Sequence, residues 1–239
     1  MPSSTKSVLV VLTNSNTISS SCPPGDKCCT TPSSEQKTVS GFDIKEVAYI
    51  YLNLCKKMKL PITFATPHGG MAPVDPSSKE ETEKDSYVRE FLRDTSLLDR
   101  FHDTKPLSSI NPEEYSIVLI PGKYATMVDL ASNDTLCKII DAVYFKNRGI
   151  IGTIGHGVCA LFSCQSEEKD KPKASPLCKN FLKGRRCTGP TNEEEKILNI
   201  DHCLPYLIED RLRECGAHFE SAHPFSPFVV VDERLVTGQ

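Results

Sequence analysis

Short apolar runs alternate with longer amphipathic stretches along this chain, and the alternation predicts its elements. Ser7 to Leu12 is a Val/Leu run ending in polar turn residues, the pattern of a strand buried on both faces. From Asp43 the apolar positions fall at Val47, Ile50, Tyr51, Leu54 and Met58, the spacing of one helical face. Pro61 to Thr66 reads as a second strand and runs into the turn Pro67-His68-Gly69-Gly70. The span 80–101 is charged and amphipathic and predicts one or two surface helices. Tyr115 to Ile120 is a third apolar strand, closed by Pro121-Gly122, and a helix is expected from about Met127 to Asn147, ended by Arg148-Gly149. Gly149 to Ile154 makes a fourth strand. It meets Gly155-His156-Gly157 and then a helical pattern in Val158, Ala160, Leu161 and Phe162. A polar helix near Glu193 to Ile200, another from about Leu204 to Cys215 and a hairpin around Asp232-Glu233 complete the pattern.

Strand, helix and strand at short intervals imply an α/β fold, a doubly wound and mostly parallel sheet with helices on both faces. Nothing in the pattern divides the 239 residues, so a single domain over 1–239 is expected. One span departs from it. From Thr13 to Ser40 the chain is Ser, Thr, Pro, Asn and Cys with almost no large apolar residue, which reads as a flexible insertion. Cys22, Cys28 and Cys29 within it lack the second pair or the histidines a metal clip needs, and residues 167–173 read as a charged loop.

Charge and composition narrow the classes. Twenty-eight basic residues face 31 acidic ones, a net charge of −3 that leaves no footprint for nucleic acid or an anionic membrane. The run Lys183-Gly184-Arg185-Arg186 could touch RNA, but a solvated loop is the plainer reading. The apolar stretch before Leu12 is too short for a signal peptide, and no stretch approaches the ~20 apolar residues of a membrane span. A cytoplasmic chain is expected, and eleven cysteines then read as free thiols, with Cys55, Cys137 and Cys159 in apolar helical patterns. Six histidines are scattered without ligand spacing, so neither a metal nor a cofactor is expected.

Chemistry is best sought at the junction from Ile150 to Leu161. An apolar strand there runs through two glycines around one polar residue and straight into an apolar helix. That is the layout of a nucleophile elbow, a tight turn presenting one side chain above the sheet at a helix start. The stretch resembles the elbow of the class I glutamine amidotransferase-like (ThiJ/PfpI) superfamily, whose enzymes carry cysteine, often histidine, then glycine. On that alignment His156 and Gly157 match, while Gly155 fills the cysteine position. The segment from Gly41 to Ala48 resembles the first helix of the chaperone and glyoxalase branch, with Glu46 at the glutamate that contacts the elbow cysteine. Ala65 to Gly70 with Pro73 to Pro76, and Cys187-Thr188-Gly189-Pro190 followed by Glu195 at the acidic triad position, resemble further family segments. So does Leu235 to Gln239, the late strand. Within the superfamily the elbow is most similar to the Parkinson disease 7 domain-containing, glutamine amidotransferase-like class 1 domain-containing proteins. The resemblance implies a flavodoxin-like sheet.

Three departures shape the functional expectation. Gly155 has no side chain, so the elbow itself cannot supply a nucleophile. Pro121 to Ala125 replaces the glycine-rich oxyanion turn of active relatives, and the final helix of the family is missing after Gln239, which would leave apolar surface uncovered. A non-catalytic chain with a vestigial site at Glu46, Gly155, His156 and Glu195 is therefore expected. Glu46 and Glu195 also have plain structural readings, as a capping-box acid and as a first-turn acid.

The resemblance implies self-association and membership of an early-endosomal Rab-effector assembly that carries mRNA, with RNA touched only indirectly. The alternative is a glyoxalase, deglycase or amidohydrolase using Cys159, four residues past the elbow, or a water activated by His156. A third reading is a small-metabolite pocket at the same place.

Overall fold

The computed structural model describes residues 7–20, 36–80, 84–165 and 179–239, with the side chains of 20, 36, 37, 79, 80 and 95–98 left aside. The strands are β1 (Ser7–Val11), β2 (Thr17–Ser20), β3 (Gln36–Val39), β4 (Ile62–Thr66), β5 (Lys105–Pro106) and β6 (Tyr115–Gly122). They continue as β7 (Ile150–Gly155), β8 (Arg186–Cys187), β9 (His218–Phe219), β10 (Val229–Asp232) and β11 (Leu235–Gly238). Seven of them form one sheet in the order β10-β11-β7-β6-β1-β4-β5, parallel throughout except where β10 runs antiparallel to β11. This is the flavodoxin-like α/β architecture expected from the sequence.

The apolar run of β1 is continuous because both faces of the sheet are covered. Leu9 and Val11 point into one core with Val118, Ile120, Ile139 and Ile140. Val8, Val10 and Leu12 point the other way, into Phe42, Val47, Phe64, Phe91 and Phe101. That second core is aromatic, with Phe101 at 4.9 Å from Phe64 and 5.0 Å from Phe42 between ring centroids.

The helices are α1 (Ile44–Ile50), α2 (Pro76–Glu80), α3 (Ser86–Leu92), α4 (Thr95–His102), α5 (Thr126–Asp129), α6 (Asp134–Asp141), α7 (Asn192–Ile197) and α8 (Ile208–Glu214). Asp43 caps α1 by accepting the N–H groups of Lys45 and Glu46, and a wider π-helical turn carries the helix on over Tyr51–Lys57. The long helix expected over 127–147 is two. α5 stops at Asp129, and Asn133 starts α6 by accepting the Leu136 N–H, a polar side chain competing for a backbone bond as asparagine does at helix starts. The helix expected after the elbow is a tight 3-10 segment over His156–Leu161, and the one expected from Leu204 begins only at Ile208, beyond Pro205.

The span 13–40 carries more order at its ends than its composition suggests. β2 and β3 pair antiparallel, and Ile18 between polar neighbours is buried against the first core. Asp129 clasps the entry to this ribbon: its carboxylate accepts the Thr13 hydroxyl and the Asn14 N–H, both at 2.7 Å. Cys22, Cys28, Cys29 and the charged loop at 167–173 lie outside the described residues. The basic run at 183–186 is spent partly inside the fold, since Arg185 reaches the Tyr144 hydroxyl and lies over the Tyr144 and Phe181 rings, while Arg186 pairs with Glu220. Among the described residues no helix is long and apolar enough to cross a membrane.

Candidate active site

The elbow forms where β7 ends. Gly155 has φ 55° and ψ −132°, a backbone region that side chains rarely adopt, so the turn geometry of a nucleophile elbow is kept although the side chain is gone. Gly157 lets the following segment press onto β6, since a Cβ there would stand 1.9 Å from the Ile120 carbonyl oxygen. Close packing beneath the turn fixes where His156 points.

Two titratable side chains lie next to Gly155. A Cβ on Gly155 would lie 3.6 Å from Glu46 Oε1 and 2.9 Å from the Gly122 carbonyl oxygen. Glu46 therefore sits where the resemblance puts it, beside the elbow. Its side chain does not close a capping box with Asp43. Burial pushes its carboxyl well above the usual range and the charge of Asp43 adds to this, while Lys123 and the N–H of Gly122 pull it back. Its Oε2 is enclosed without a partner. Lys123 is itself held 3.4 Å from Asp43 and 3.7 Å from Asp75.

On the other side His156 is buried, with Nε2 2.9 Å from Glu195 Oε1. The approach is close but not aligned as a hydrogen bond, so Nε2 and Glu195 Oε2 both lack a directed partner. The Tyr124 ring meets the imidazole edge-on at 4.7 Å. Burial raises the Tyr124 hydroxyl above its usual range, with the charges of Glu195 and Asp75 adding, which keeps it a donor. Glu195 does lie in the first turn of α7, as its plain structural reading has it, and it shares that turn with a second acid in a division of labour. Glu194 makes the capping box with Thr191, leaving the next carboxylate to face His156.

Cys159 does not join these groups. It is fully buried and donates its S–H to the Thr126 carbonyl at 3.4 Å. Burial pushes the thiol up to about 12, the Thr126 contact lowering it only in part. Alkylation of the folded protein with iodoacetamide at pH 7 is expected to leave Cys159 unmodified while the half-buried Cys55 reacts, as mapped by mass spectrometry; early labelling of Cys159 would contradict this packing. Cys55, Cys137, Cys159, Cys164, Cys187 and Cys203 carry free thiols, whereas Cys215 is disulfide-bonded, against the reading of all as free.

A pocket of about 410 Å³ opens beside His156, bounded by Tyr124, Glu195, Glu194, Leu198 and Phe225 among others. Sequence reasoning missed Phe225 and the role of Tyr124. The one available signal was the departure at Pro121 to Ala125. Among the described residues no group of three or more His, Cys, Asp or Glu side chains is placed to hold a metal ion.

No family model matches the chain. Glutamine amidotransferase-like class 1 domain-containing protein 1 of Bos taurus is 34% identical over 134 residues, 56% of each chain. The probable glutathione-independent glyoxalase hsp3103 of Schizosaccharomyces pombe is 28% identical over 140 residues, 57% of this chain and 51% of its own. The matches thus span little more than half the length of these relatives. Among solved structures, the Rapid Encystment Protein 24 kDa of Francisella tularensis superposes with TM-score 0.77 at 29% identity, covering 98% of this chain and 92% of its own. Glyoxalase III of Candida albicans superposes at 0.74 and 20% identity over 98% and 90%, a likeness of fold alone.

Sequence relatives named as glyoxalases overturn one expectation. The missing elbow thiol pointed to a non-enzymatic chain, but four of the matched sequences are named as glutathione-independent glyoxalases or as glyoxalase 3. The inference from Gly155 equated one lost side chain with lost chemistry, whereas relatives named as enzymes match this chain. With the sheet order, the elbow turn, these sequence relatives and its structural neighbours in agreement, the chain is a homologue of glutamine amidotransferase-like class 1 domain-containing and glyoxalase proteins and has the fold of the ThiJ/PfpI proteins.

Proposed function

We propose that this chain catalyses a glyoxalase-type isomerisation in which water takes the place of the elbow thiol. The observation that carries the reading is the flanking of Gly155, at the elbow turn, by the buried carboxyl of Glu46 and by His156 with Glu195 beside it. Names among the relatives supply the reaction class. A 2-oxoaldehyde adds water at its aldehyde carbon to form a gem-diol. Glu46 gives its proton to the neighbouring ketone oxygen while His156 removes the C–H proton of the diol carbon, leaving an enetriol. His156 returns that proton to the former ketone carbon, and Glu46 takes back one from a diol oxygen. The product is a 2-hydroxy acid, and no atom or electron is gained or lost after hydration. Glu195 steadies the imidazolium through its charge.

Purified protein with methylglyoxal and no glutathione is expected to form lactate, and His156→Ala to reduce that turnover roughly 100-fold. Cys159→Ser is expected to keep it. No lactate from the wild type would overturn the reading, and loss of turnover on Cys159→Ser with the fold intact would move the chemistry to that thiol. The early-endosomal assembly, its mRNA cargo and self-association rest on the family resemblance alone, and no observation favours them over catalysis.

A further inference from the structure

Phe225 stands out among the large apolar side chains. It is 58% exposed, yet its backbone is held at φ 60°, a region costly for an aromatic residue. Something must fix a conformation that burial does not reward. The Phe225 N–H donates to Glu194 Oε1 at 2.8 Å, and the Gln239 side-chain amide donates to the same oxygen at 3.0 Å. The other oxygen, Oε2, accepts the Thr191 N–H at 2.8 Å and the Thr191 hydroxyl at 3.0 Å. One buried carboxylate thus joins the start of α7 to the Phe225 turn by four hydrogen bonds. Burial alone would raise this carboxyl, but the donors from Thr191, Gln239 and Phe225 outweigh it and hold it below the usual range.

The ring so placed lines the pocket beside His156. Leu198, Pro190 and Pro227 supply further apolar wall, and among the described residues no lysine or arginine lines it. Both charged side chains that do are carboxylates, Glu194 and Glu195. At about 410 Å³ the space is several times what a three-carbon aldehyde needs and falls in the ~300–1,000 Å³ range of ligand sites. Acidic walls without a countercharge disfavour an anion, and an aromatic platform favours a flat apolar group.

We propose that this pocket is a subsite for neutral ligands bearing a flat apolar substituent, with Phe225 as the platform and Glu194 as the residue that positions it. Under the reaction proposed above, on which the substrate assignment rests, the preferred substrate class is a 2-oxoaldehyde carrying an aryl group, and 2-oxo acids are rejected.

Three unreactive probes separate the terms by calorimetry on the full chain at pH 7. These are 2-hydroxyacetophenone (neutral, with the ring), hydroxyacetone (neutral, without it) and benzoylformate (ring plus carboxylate). The first is expected to bind at least about tenfold more tightly than either of the others. Phe225→Ala is expected to erase its advantage over hydroxyacetone, and Glu194→Gln to shrink that same ratio, a readout that general loosening of the fold would not move selectively. Equal binding of the three, tightest binding of benzoylformate, no binding of 2-hydroxyacetophenone at millimolar concentration, or an undiminished ratio in Phe225→Ala each overturns the proposal. Lactate formation without an aryl preference sinks the subsite and leaves the reaction. An aryl preference without lactate does the reverse.

Discussion

Alanine at Gly157 is expected to destabilise the protein by ~3 kcal/mol or more, enough to lower the urea midpoint sharply or abolish soluble folding. The added Cβ would stand 1.9 Å from the Ile120 carbonyl oxygen, 2.9 Å from its carbon and 3.4 Å from the Gly122 nitrogen. All three are backbone atoms of β6, which pairs with β1 and β7 in the middle of the sheet and cannot turn aside as a side chain would. Relief would require the elbow segment to lift off the sheet, opening the core around Val158, Cys159 and Leu161. Gly184→Ala is the control. Gly184 has φ 75° with nothing within 4 Å of its missing Cβ, so only the conformational cost of about 1 kcal/mol applies. If urea unfolding finds the two variants equally stable, the close packing under the elbow is wrong.

Glu46→Gln is expected to reduce lactate formation by ~100-fold or more, since the variant keeps the shape of the group but not its transferable proton. The pH dependence has a definite sign. Because burial raises the folded-state pKa of Glu46 above its unfolded value, its contribution to stability is fully present below the unfolded carboxyl pKa and is lost as pH rises through the folded one. Turnover that needs the protonated acid declines through that same folded pKa. Thermal melts from about pH 4 to 8 should therefore show the wild type losing stability on the alkaline side and Glu46→Gln losing less of it. A variant with wild-type turnover would remove Glu46 from the reaction, and parallel melting curves would show that its carboxyl is not held protonated by the fold.

Much of this protein could be read from one dimension. Apolar runs at 7–12, 61–66, 115–120 and 149–154 became β1, β4, β6 and β7, because a strand covered on both faces does not alternate polar with apolar residues and needs only an occasional Ser or Thr. The glycine-bracketed histidine marked the elbow for a similarly local reason, as only a tight turn calls for that residue pattern between a strand and an apolar segment. Short strands such as β5 and β8 were illegible. Two residues carry no periodicity, and their pairing is set by neighbours far away in the chain. Phe225 was invisible too, an aromatic residue in a Ser- and Pro-rich stretch whose position depends on a hydrogen bond from 31 residues away.

What the sequence determined by itself was therefore the sheet, its winding and the place where chemistry would be sought, all consequences of burial acting on local pattern. Tertiary structure alone decided which of the two adjacent acids caps α7 and which faces His156, that Cys159 is enclosed, and that burial raises the carboxyl of Glu46 above the usual range. Each of these depends on the solvent and charges that distant segments bring to a side chain, and the composition of its own neighbourhood does not encode them.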